Sequence, residues 1–296
     1  MMIKYYGCHI SIKDGIIHSI EDIIKLKGNM IQIFISNPMS TRITNLSKKY
    51  TDDIIENIKQ KLYITNTKIV IHLPYVINLS RHILPNSSIE DNWWIEMICN
   101  QLEFSEKINS LGCVVHVGKH LQLTEYEGIE NMYNNLKIII KFLRDNNMKT
   151  HIILETAAGQ GTELLATRNN LINNLAEFYN KFDEEDKNYL RLCIDTCHIF
   201  SAGYDLNAKN AVKFFFKIFD NQIGLRYIDL IHLNDSKTIC GGSIDRHANL
   251  GQGKINIKAL KKFIKYSLIY NIPIILETPD SSYEEIKIIR SIAKKL

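Results

Sequence analysis

The chain has 296 residues, of which 45% are hydrophobic and 23% are charged, a balance that is typical of a folded globular protein and argues against a disordered or fibrous chain. Its formal net charge of +4 allows an anionic partner without requiring one, because binding depends on where the charges lie. No apolar run approaches the roughly 18 residues of a membrane-spanning helix and the N-terminus lacks the apolar core of a signal peptide, so we expect a soluble, intracellular protein, cytoplasmic or nuclear, with no membrane partner.

Eight short runs rich in β-branched residues recur along the chain, and each is bounded by turn or helix signals. In chain order they read "YYGCHIS", "MIQIFIS", "KIVIHLP", "CVVHVG", "HIILET", "RLCIDT", "YIDLIHLN" and "PIILET". They begin near residues 5, 30, 68, 113, 151, 191, 227 and 273. Each interval is long enough for one helix and two loops, so the pattern predicts strands that alternate with helices.

Helical sequences fill the intervals between these runs, for example over residues 19–28, 128–147 and 256–271. The first of them starts at a serine and ends at a glycine, which are typical helix caps. Nearly continuous apolar strands that alternate with helices predict a parallel sheet covered by helices, and eight such units favour a closed (β/α)₈ barrel. The open alternative would be supported by a glycine-rich dinucleotide motif, which is missing. No Pro/Gly/Ser-rich linker divides the chain, so we predict one domain over residues 1–296.

Ionisable side chains stand at the carboxyl ends of seven of the eight predicted strands, and the exception is "MIQIFIS". In chain order these side chains are His9, His72, His116, Glu155, Asp195, His232 and Glu277. In a barrel the carboxyl ends of all strands open on one face, so the side chains would converge there. Any one of them could simply pack in the core or cap a helix. Together they predict a metal site, because crowded carboxylates and imidazoles are costly to bury without a cation.

Two further pairs follow predicted strands. In "CIDTCHIFSAGYD" His198 lies three residues after Asp195, so the two side chains would reach neighbouring but different ions. In "GSIDRHANLGQG" Asp245 and His247 lie two residues apart and would point to the same side of an extended loop, which suits two ligands of one ion. The alternative for this second stretch is a glycine-rich loop that binds no metal.

The cysteines predict neither a disulfide framework nor a thiolate metal site. Six of them are spread over a long chain without a secretory signal. Cys193 and Cys197 lie four residues apart, which is not the C-x-x-C spacing of a redox or zinc-knuckle motif. We therefore predict that most of the cysteines are small, buried packing residues.

Five histidines and four carboxylates are then candidate metal ligands: His72, His116, Glu155, Asp195, His198, His232, Asp245, His247 and Glu277. Imidazoles and carboxylates without thiolates suit zinc, manganese or iron better than a structural zinc site. Nine ligands are too many for one ion. Three divalent ions opposite four carboxylates would leave a charge of about +2, which suits a phosphate diester.

Seven motifs, in this order along the chain, resemble the endonuclease IV family of apurinic/apyrimidinic (AP) DNA repair endonucleases. They are "GCHIS", "IHLPYVINL", "LETAAGQGTEL", "CIDTCHIFSAGYD", "IHLNDSK", "DRHANLGQG" and "LETP". The resemblance implies an AP endonuclease barrel whose active site lies at the C-terminal ends of the strands. It further implies a deoxyribonuclease IV of base excision repair that cleaves 5′ to an abasic site in double-stranded DNA. The products would be a 3′-hydroxyl and a 5′-deoxyribose phosphate. Whether the protein also trims blocked 3′ ends stays open. We expect it to be a monomer.

The resemblance also implies roles for matching positions, with three zinc ions per chain. The first ion would be held by His72, His116 and Glu155, the second by Asp195, His232 and Glu277 with Glu155 as a bridge, and the third by His198, Asp245 and His247. A hydroxide between the first two ions would attack the phosphate. Glu155, which would position that hydroxide, and Glu277 are therefore the predicted catalytic residues.

DNA contacts are predicted at three further positions. Tyr75 would fill the base stack left when the abasic nucleotide flips out, and His9 and Arg42 are weaker candidates. The family often has an arginine near Met39, whereas the nearest one here is Arg42. Val117 replaces the proline of the usual His-Pro-Gly motif, so we expect a less rigid loop there.

Two other functions stay open. Metal-dependent sugar isomerases and epimerases of related barrels also carry ligands at strand ends, but they have no use for the pair Asp245 and His247. A non-catalytic protein that only binds abasic DNA would not need all nine ligands.

Overall fold

The computed structural model describes residues 4–83, 87–166, 170–280 and 282–296. Its centre is a closed barrel of eight parallel strands, numbered here with a two-stranded hairpin in chain order. The barrel strands are β1 (Tyr6–His9), β2 (Met30–Ile33), β3 (Lys68–His72), β4 (Gly112–His116), β5 (His151–Glu155), β6 (Leu190–Asp195), β7 (Ile228–His232) and β10 (Ile274–Leu276). Strand β1 pairs with both β2 and β10, which closes the sheet. The predicted (β/α)₈ barrel is confirmed.

Helices surround the barrel. They are α1 (Ile16–Lys25), α2 (Leu46–Lys49), α3 (Asp52–Thr65), α4 (Trp93–Lys107), α5 (Glu125–Asp145), α6 (Leu171–Tyr179), α7 (Thr196–Ser201), α8 (Ala211–Gln222), α9 (Ile257–Ile269) and α10 (Tyr283–Ala293). Two 3₁₀ turns, at Asp186–Asn188 and Leu225–Tyr227, precede β6 and β7. Within the described residues, every helix is too short or too polar to span a membrane.

The predicted helix starts were correct at one of three positions. The predicted stretch 256–271 begins at the cap of α9, Asn256, whose side chain accepts a hydrogen bond from Lys258 N at 2.9 Å. Helix α5 begins three residues before the predicted start, because Thr124 and Glu127 form a capping box. Ser19 is not the cap of α1, which begins after Gly15; instead its hydroxyl lies inside the helix and donates to backbone carbonyls.

The barrel interior is filled by one apolar side chain from each of seven strands: Met30, Val70, Val114, Ile153, Cys193, Leu230 and Ile275. A larger apolar layer lies between the barrel and the helices. This filling leaves the polar side chains only the ends of the strands. Cys193 therefore has the packing role predicted from the sequence.

The hairpin of β8 (Asp235–Ser236) and β9 (His247–Ala248) follows β7. Its strands are antiparallel and pair Ser236 with His247. The buried Asp235 carboxylate accepts hydrogen bonds from the backbone N–H groups of Ser236, Gly251, Gly253 and Ile255, at 2.7–2.9 Å. The hairpin and the following loop are thereby held over the mouth of the barrel.

Candidate metal centre

The side chains at the strand ends converge at the mouth of the barrel. Strands β3 to β7 end in His72, His116, Glu155, Asp195 and His232, and Glu277 directly follows β10. Together with residues from α7, β9 and the segment before β9, their possible ligand atoms form five groups among the described residues, each with all its atoms within 4.8 Å. Two of the five include the thiol of Cys193 or Cys197. The three that consist of imidazoles and carboxylates alone are His72, His116 and Glu155; Glu155, Asp195, His232 and Glu277; and His198, Asp245 and His247. All nine residues singled out from the sequence thus share one site.

Glu155 is common to two of these groups. Its side chain is fully buried, and its Oε2 lies 3.3 Å from His72 Nε2 and 3.1 Å from His116 Nε2. Its Oε1 lies 2.8 Å from His232 Nδ1. Burial acts to raise the pKa of this carboxyl, but the imidazoles of His232 and His116 outweigh it and hold the pKa well below its usual range. Glu155 therefore stays ionised and presents one oxygen to each group.

The third group contains two buried ring nitrogens that have no hydrogen-bond partner among the described residues, His198 Nε2 and His247 Nε2. They lie 3.3 and 3.2 Å from the two oxygens of Asp245. His247 Nε2 is also 3.6 Å from Asp195 Oδ2. Buried polar atoms are rarely left without a partner, so this convergence of nitrogen and oxygen lone pairs fits a cation.

The charges in this group are strongly coupled. Burial acts to lower the pKa of His247, but the carboxylates of Asp195 and Asp245 outweigh it and raise the pKa to about 9. Burial acts to raise the pKa of Asp245, yet the imidazoles of His198 and His247 hold it far below its usual range. The group thus strongly favours positive charge next to its carboxylates, in keeping with a divalent cation.

Backbone carbonyls orient three of the histidines. The Nδ1–H groups of His72, His198 and His247 donate to the carbonyl oxygens of Leu73, Thr156 and Glu277 at 2.7, 2.7 and 3.1 Å, respectively. Because a carbonyl only accepts, each ring carries a proton on Nδ1, and Nε2 is the nitrogen that faces the carboxylates and would bind a cation in place of a second proton. Metal-binding imidazoles are commonly held in this way.

Asn234 holds two of the candidate ligands and was not predicted. Its amide nitrogen donates to Asp195 Oδ2 at 2.6 Å, and its oxygen accepts from the backbone N–H of Glu277 at 2.8 Å. Asp195 uses its other oxygen to cap α7, accepting from the backbone N–H of His198 at 2.9 Å. The residue stands in "IHLNDSK", so the only available signal was its position beside His232.

Gln32 was not predicted either, because its amide is not ionisable and so does not belong to the pattern of ionisable strand ends. Its side chain is fully buried. Its amide lies within hydrogen-bonding distance of the side chains of His9, His232 and Glu277. The available signal was a lone polar residue in the apolar run "MIQIFI".

Six of the nine residues line an open cavity of about 220 Å³, and the other three, Glu155, Asp195 and His232, are fully buried. Tyr75 stands at its rim, 51% exposed, with its ring centroid 5.6 Å from that of His116. Lys119 and Arg246 also line the cavity, and Lys119 forms an ion pair with Glu163 at 3.3 Å. These two basic side chains were not predicted. Lys119 lies three residues after His116, and Arg246 stands between Asp245 and His247.

The other two predicted contact residues, His9 and Arg42, differ in their distance from the ligand groups. His9 ends β1 with its Nδ1 3.9 Å from Glu277 Oε1, and burial lowers its pKa to about 4, so the ring is neutral. Arg42 is exposed on the segment after β2, where its backbone N–H donates to Ser40 Oγ at 3.1 Å. Val117 is buried and lines the cavity.

The cysteines near the site are not suited to redox or ligand chemistry. None of the six, all within the described residues, forms a disulfide. Burial raises the pKa of both Cys193 and Cys197 to about 12. Both thiols are therefore protonated at neutral pH, and it is the thiolate that attacks or binds metal.

Comparison with known proteins identifies the family. A family model described as "Xylose isomerase-like TIM barrel" matches residues 21–296. The putative endonuclease 4 of Acanthamoeba polyphaga mimivirus is 35% identical over 279 residues, 92% of this chain and 85% of the relative. The probable endonuclease 4 of Carboxydothermus hydrogenoformans is 33% identical over 283 residues, 94% of this chain and 92% of the relative. The chain belongs to the endonuclease IV family.

Solved structures agree with membership of the endonuclease IV family. Endonuclease IV from Thermus thermophilus superimposes with a TM-score of 0.77 at 26% identity, covering 99% of this chain and all of that one. A D-tagatose 3-epimerase-like protein reaches 0.68 at 19% identity, covering 99% of this chain and 98% of that one. The second likeness concerns the fold alone, so the barrel by itself does not separate endonuclease IV proteins from epimerase-like ones.

Proposed function

We propose that the chain is a zinc-dependent AP endonuclease of base excision repair. It hydrolyses the phosphodiester bond 5′ to an abasic site in duplex DNA and leaves a 3′-hydroxyl and a 5′-deoxyribose phosphate. The observation that carries the proposal is the group of His198, Asp245 and His247 beside the two groups that share Glu155. Membership of the endonuclease IV family supports the reaction class.

Under this proposal three zinc ions are held by the three groups. His72, His116 and Glu155 hold the first, Glu155, Asp195, His232 and Glu277 the second, and His198, Asp245 and His247 the third. The donor set fits zinc, since it consists of imidazole nitrogens and carboxylate oxygens and the nearby thiols are protonated. The two buried Nε2 atoms without partners, on His198 and His247, support the third position most directly.

Bound zinc supplies Lewis acidity, which brings the pKa of water to about 7 and offsets charge on a phosphate. The chain itself supplies the geometry. Glu155 presents one oxygen to each of two groups, and Glu277 faces His232 with its Oε2 at 3.2 Å. Lys119 and Arg246 add positive charge at the rim, where a DNA backbone would pass.

Selection of abasic sites would come from the depth of the site. The ligand groups lie at the bottom of the cavity, so a nucleotide must leave the double helix to reach them. Flipping costs least where a base is missing. Tyr75, exposed at the rim beside His116, would then occupy the gap in the stack.

The test is a nicking assay with a labelled duplex that contains one abasic site. Metal-replete protein should cut at one position, on the 5′ side, and metal analysis should find about three zinc ions per chain. A zinc chelator should abolish the cut and added zinc should restore it. Specific binding without a nick would contradict the proposal and indicate a non-catalytic binding protein.

A further inference from the structure

The amide of Gln32 makes three hydrogen-bonding contacts inside the site. Its Nε2 lies 2.5 Å from Glu277 Oε1 and 3.2 Å from His9 Nδ1, and its Oε1 lies 2.8 Å from His232 Nε2. Gln32 pairs in register with His9 on β1. Its other two partners come from β7 and the segment after β10, which are more than 190 residues away in the chain.

Chemistry decides which way this amide points. An ionised carboxylate only accepts hydrogen bonds, so the NH₂ group must face Glu277 and the carbonyl must face His232. A carbonyl likewise only accepts, so His232 must carry its proton on Nε2. The second N–H of the amide points to His9, whose Nδ1 accepts it. A single uncharged side chain thus determines the proton position on His232.

The consequence concerns the atoms that remain. With Nε2 of His232 donating to Gln32, Nδ1 is the ring nitrogen that faces the carboxylates, 2.8 Å from Glu155 Oε1 and 3.2 Å from Glu277 Oε2. It is therefore the atom that would bind a cation, which takes the place of the proton on Nδ1. With Oε1 of Glu277 accepting from Gln32, its Oε2 is the oxygen turned toward His232. Gln32 therefore selects one donor atom on each of two candidate ligands.

His232 differs from three other candidate ligand histidines in the group that orients its ring. Backbone carbonyls orient His72, His198 and His247, and such carbonyls persist whatever the side chains are. His232 depends on a side chain for the same hydrogen bond. Its orientation can therefore be altered by one substitution.

We propose that Gln32 is a positioning residue that presents His232 Nδ1 and Glu277 Oε2 to the second zinc ion. The inference rests on the proposed function and deepens it. Gln32 is fully buried, so it acts through these two residues and does not touch the DNA.

The test substitutes methionine, which has a similar length and volume but donates and accepts no strong hydrogen bond. Gln32→Met should weaken zinc binding, measured by chelator competition, by about 10- to 100-fold, the usual effect of losing such a contact. It should lower kcat with little change in KM for the abasic duplex. Gln101→Met is the matched control, since Gln101 is 2% exposed and donates to Ser36 at 3.0 Å, outside the ligand groups. The control should keep its zinc affinity.

A measurement on the unsubstituted protein covers the case in which Gln32→Met does not fold. In ¹⁵N-histidine-labelled, zinc-loaded protein, the signal that disappears in His232→Gln should show a hydrogen on Nε2. A hydrogen on Nδ1 would overturn the inference.

The outcomes separate this inference from the proposed function. If the unsubstituted protein binds no zinc and does not nick abasic DNA, the proposed function fails. If it does both, and Gln32→Met matches Gln101→Met in zinc affinity and kcat, only the role of Gln32 fails.

Discussion

Glu155 shows how one buried residue can organise a site. Its two carboxylate oxygens face different groups of imidazoles, and the residue is not exposed to water. Such a carboxylate is costly to bury alone, and the surrounding positive partners make it tolerable. A substitution of Glu155 that removes the charge and keeps the volume therefore tests the role of the charge alone.

We expect Glu155→Gln to lower the rate of abasic nicking by at least about 100-fold, because the amide removes the shared charge but keeps the shape. Steady-state nicking rates would measure this, with circular dichroism to check the fold. Glu56→Gln, a substitution on the exposed face of α3, should leave the rate unchanged. A Glu155→Gln protein with near-normal turnover would show that the shared role is misassigned.

The pair Asp245 and His247 distinguishes the proposed nuclease from a sugar epimerase. Replacing both with alanine should remove about one zinc ion per chain and abolish nicking, since these side chains supply two of the three ligands in their group. Metal analysis and the nicking assay report this together. Full activity of the double variant, or turnover of a ketose by the unsubstituted protein, would favour the epimerase.

At the scale of elements, the hairpin of β8 and β9 depends on Asp235. Its buried carboxylate accepts four backbone N–H groups, three of them from the loop of residues 251–255. The same hairpin carries His247. The carboxylate thus links the stability of the loop to the position of a proposed ligand.

Asp235→Asn should lower the free energy of unfolding by at least about 2 kcal/mol, because an amide offers one acceptor oxygen and turns an N–H toward backbone donors. Urea unfolding measures the change. Asp205→Asn is the control, as exposed Asp205 accepts one backbone N–H, from Asn207, and should change stability by less than about 0.5 kcal/mol. Equal effects of the two would contradict a special role for Asp235.

A substitution at Gly253 tests how closely the loop of residues 251–255 packs against the hairpin. A Cβ there would lie 2.4 Å from both Asp235 Oδ1 and Ser236 O, so Gly253→Ala should displace the loop and weaken zinc binding by His247. Gly161→Ala is a useful contrast, since a Cβ there meets open space and only its positive φ of 64° opposes the change. Stability and zinc content of the two variants should therefore differ, with more zinc lost from Gly253→Ala.

At the scale of the whole molecule, the proposed ligands come from β3 to β7, α7, β9, the segment before β9 and the segment after β10. A ligand that binds all of these only in the folded state adds its binding free energy to stability. Removing zinc with a chelator should therefore lower the midpoint of thermal unfolding by more than about 5 °C. Calorimetry with and without added zinc measures this change. A chelator-insensitive midpoint would argue against tightly bound ions.

The barrel and the convergence of the six ligand candidates at strand ends followed from the sequence by itself, whereas the grouping of His198, Asp245 and His247 followed from the family resemblance. Strand spacing and apolar runs indicate parallel strands, and the carboxyl ends of such strands meet on one face whatever the loops do. That topological rule brings His72 and Glu277 together although about 200 residues separate them. No knowledge of individual contacts was needed.

The tertiary structure alone decided how these residues are held. Gln32, Asn234 and Asp235 act through hydrogen bonds whose partners lie elsewhere in the chain, and two of the three side chains are uncharged amides that leave no charge pattern to read. The start of α1 at Ile16 rather than after Ser19 has the same origin, since the Ser19 hydroxyl donates to the carbonyls of Ser11 and of the N-cap residue Gly15. Topology predicts which residues meet, whereas the direction of each donor and acceptor exists only once the chain has folded.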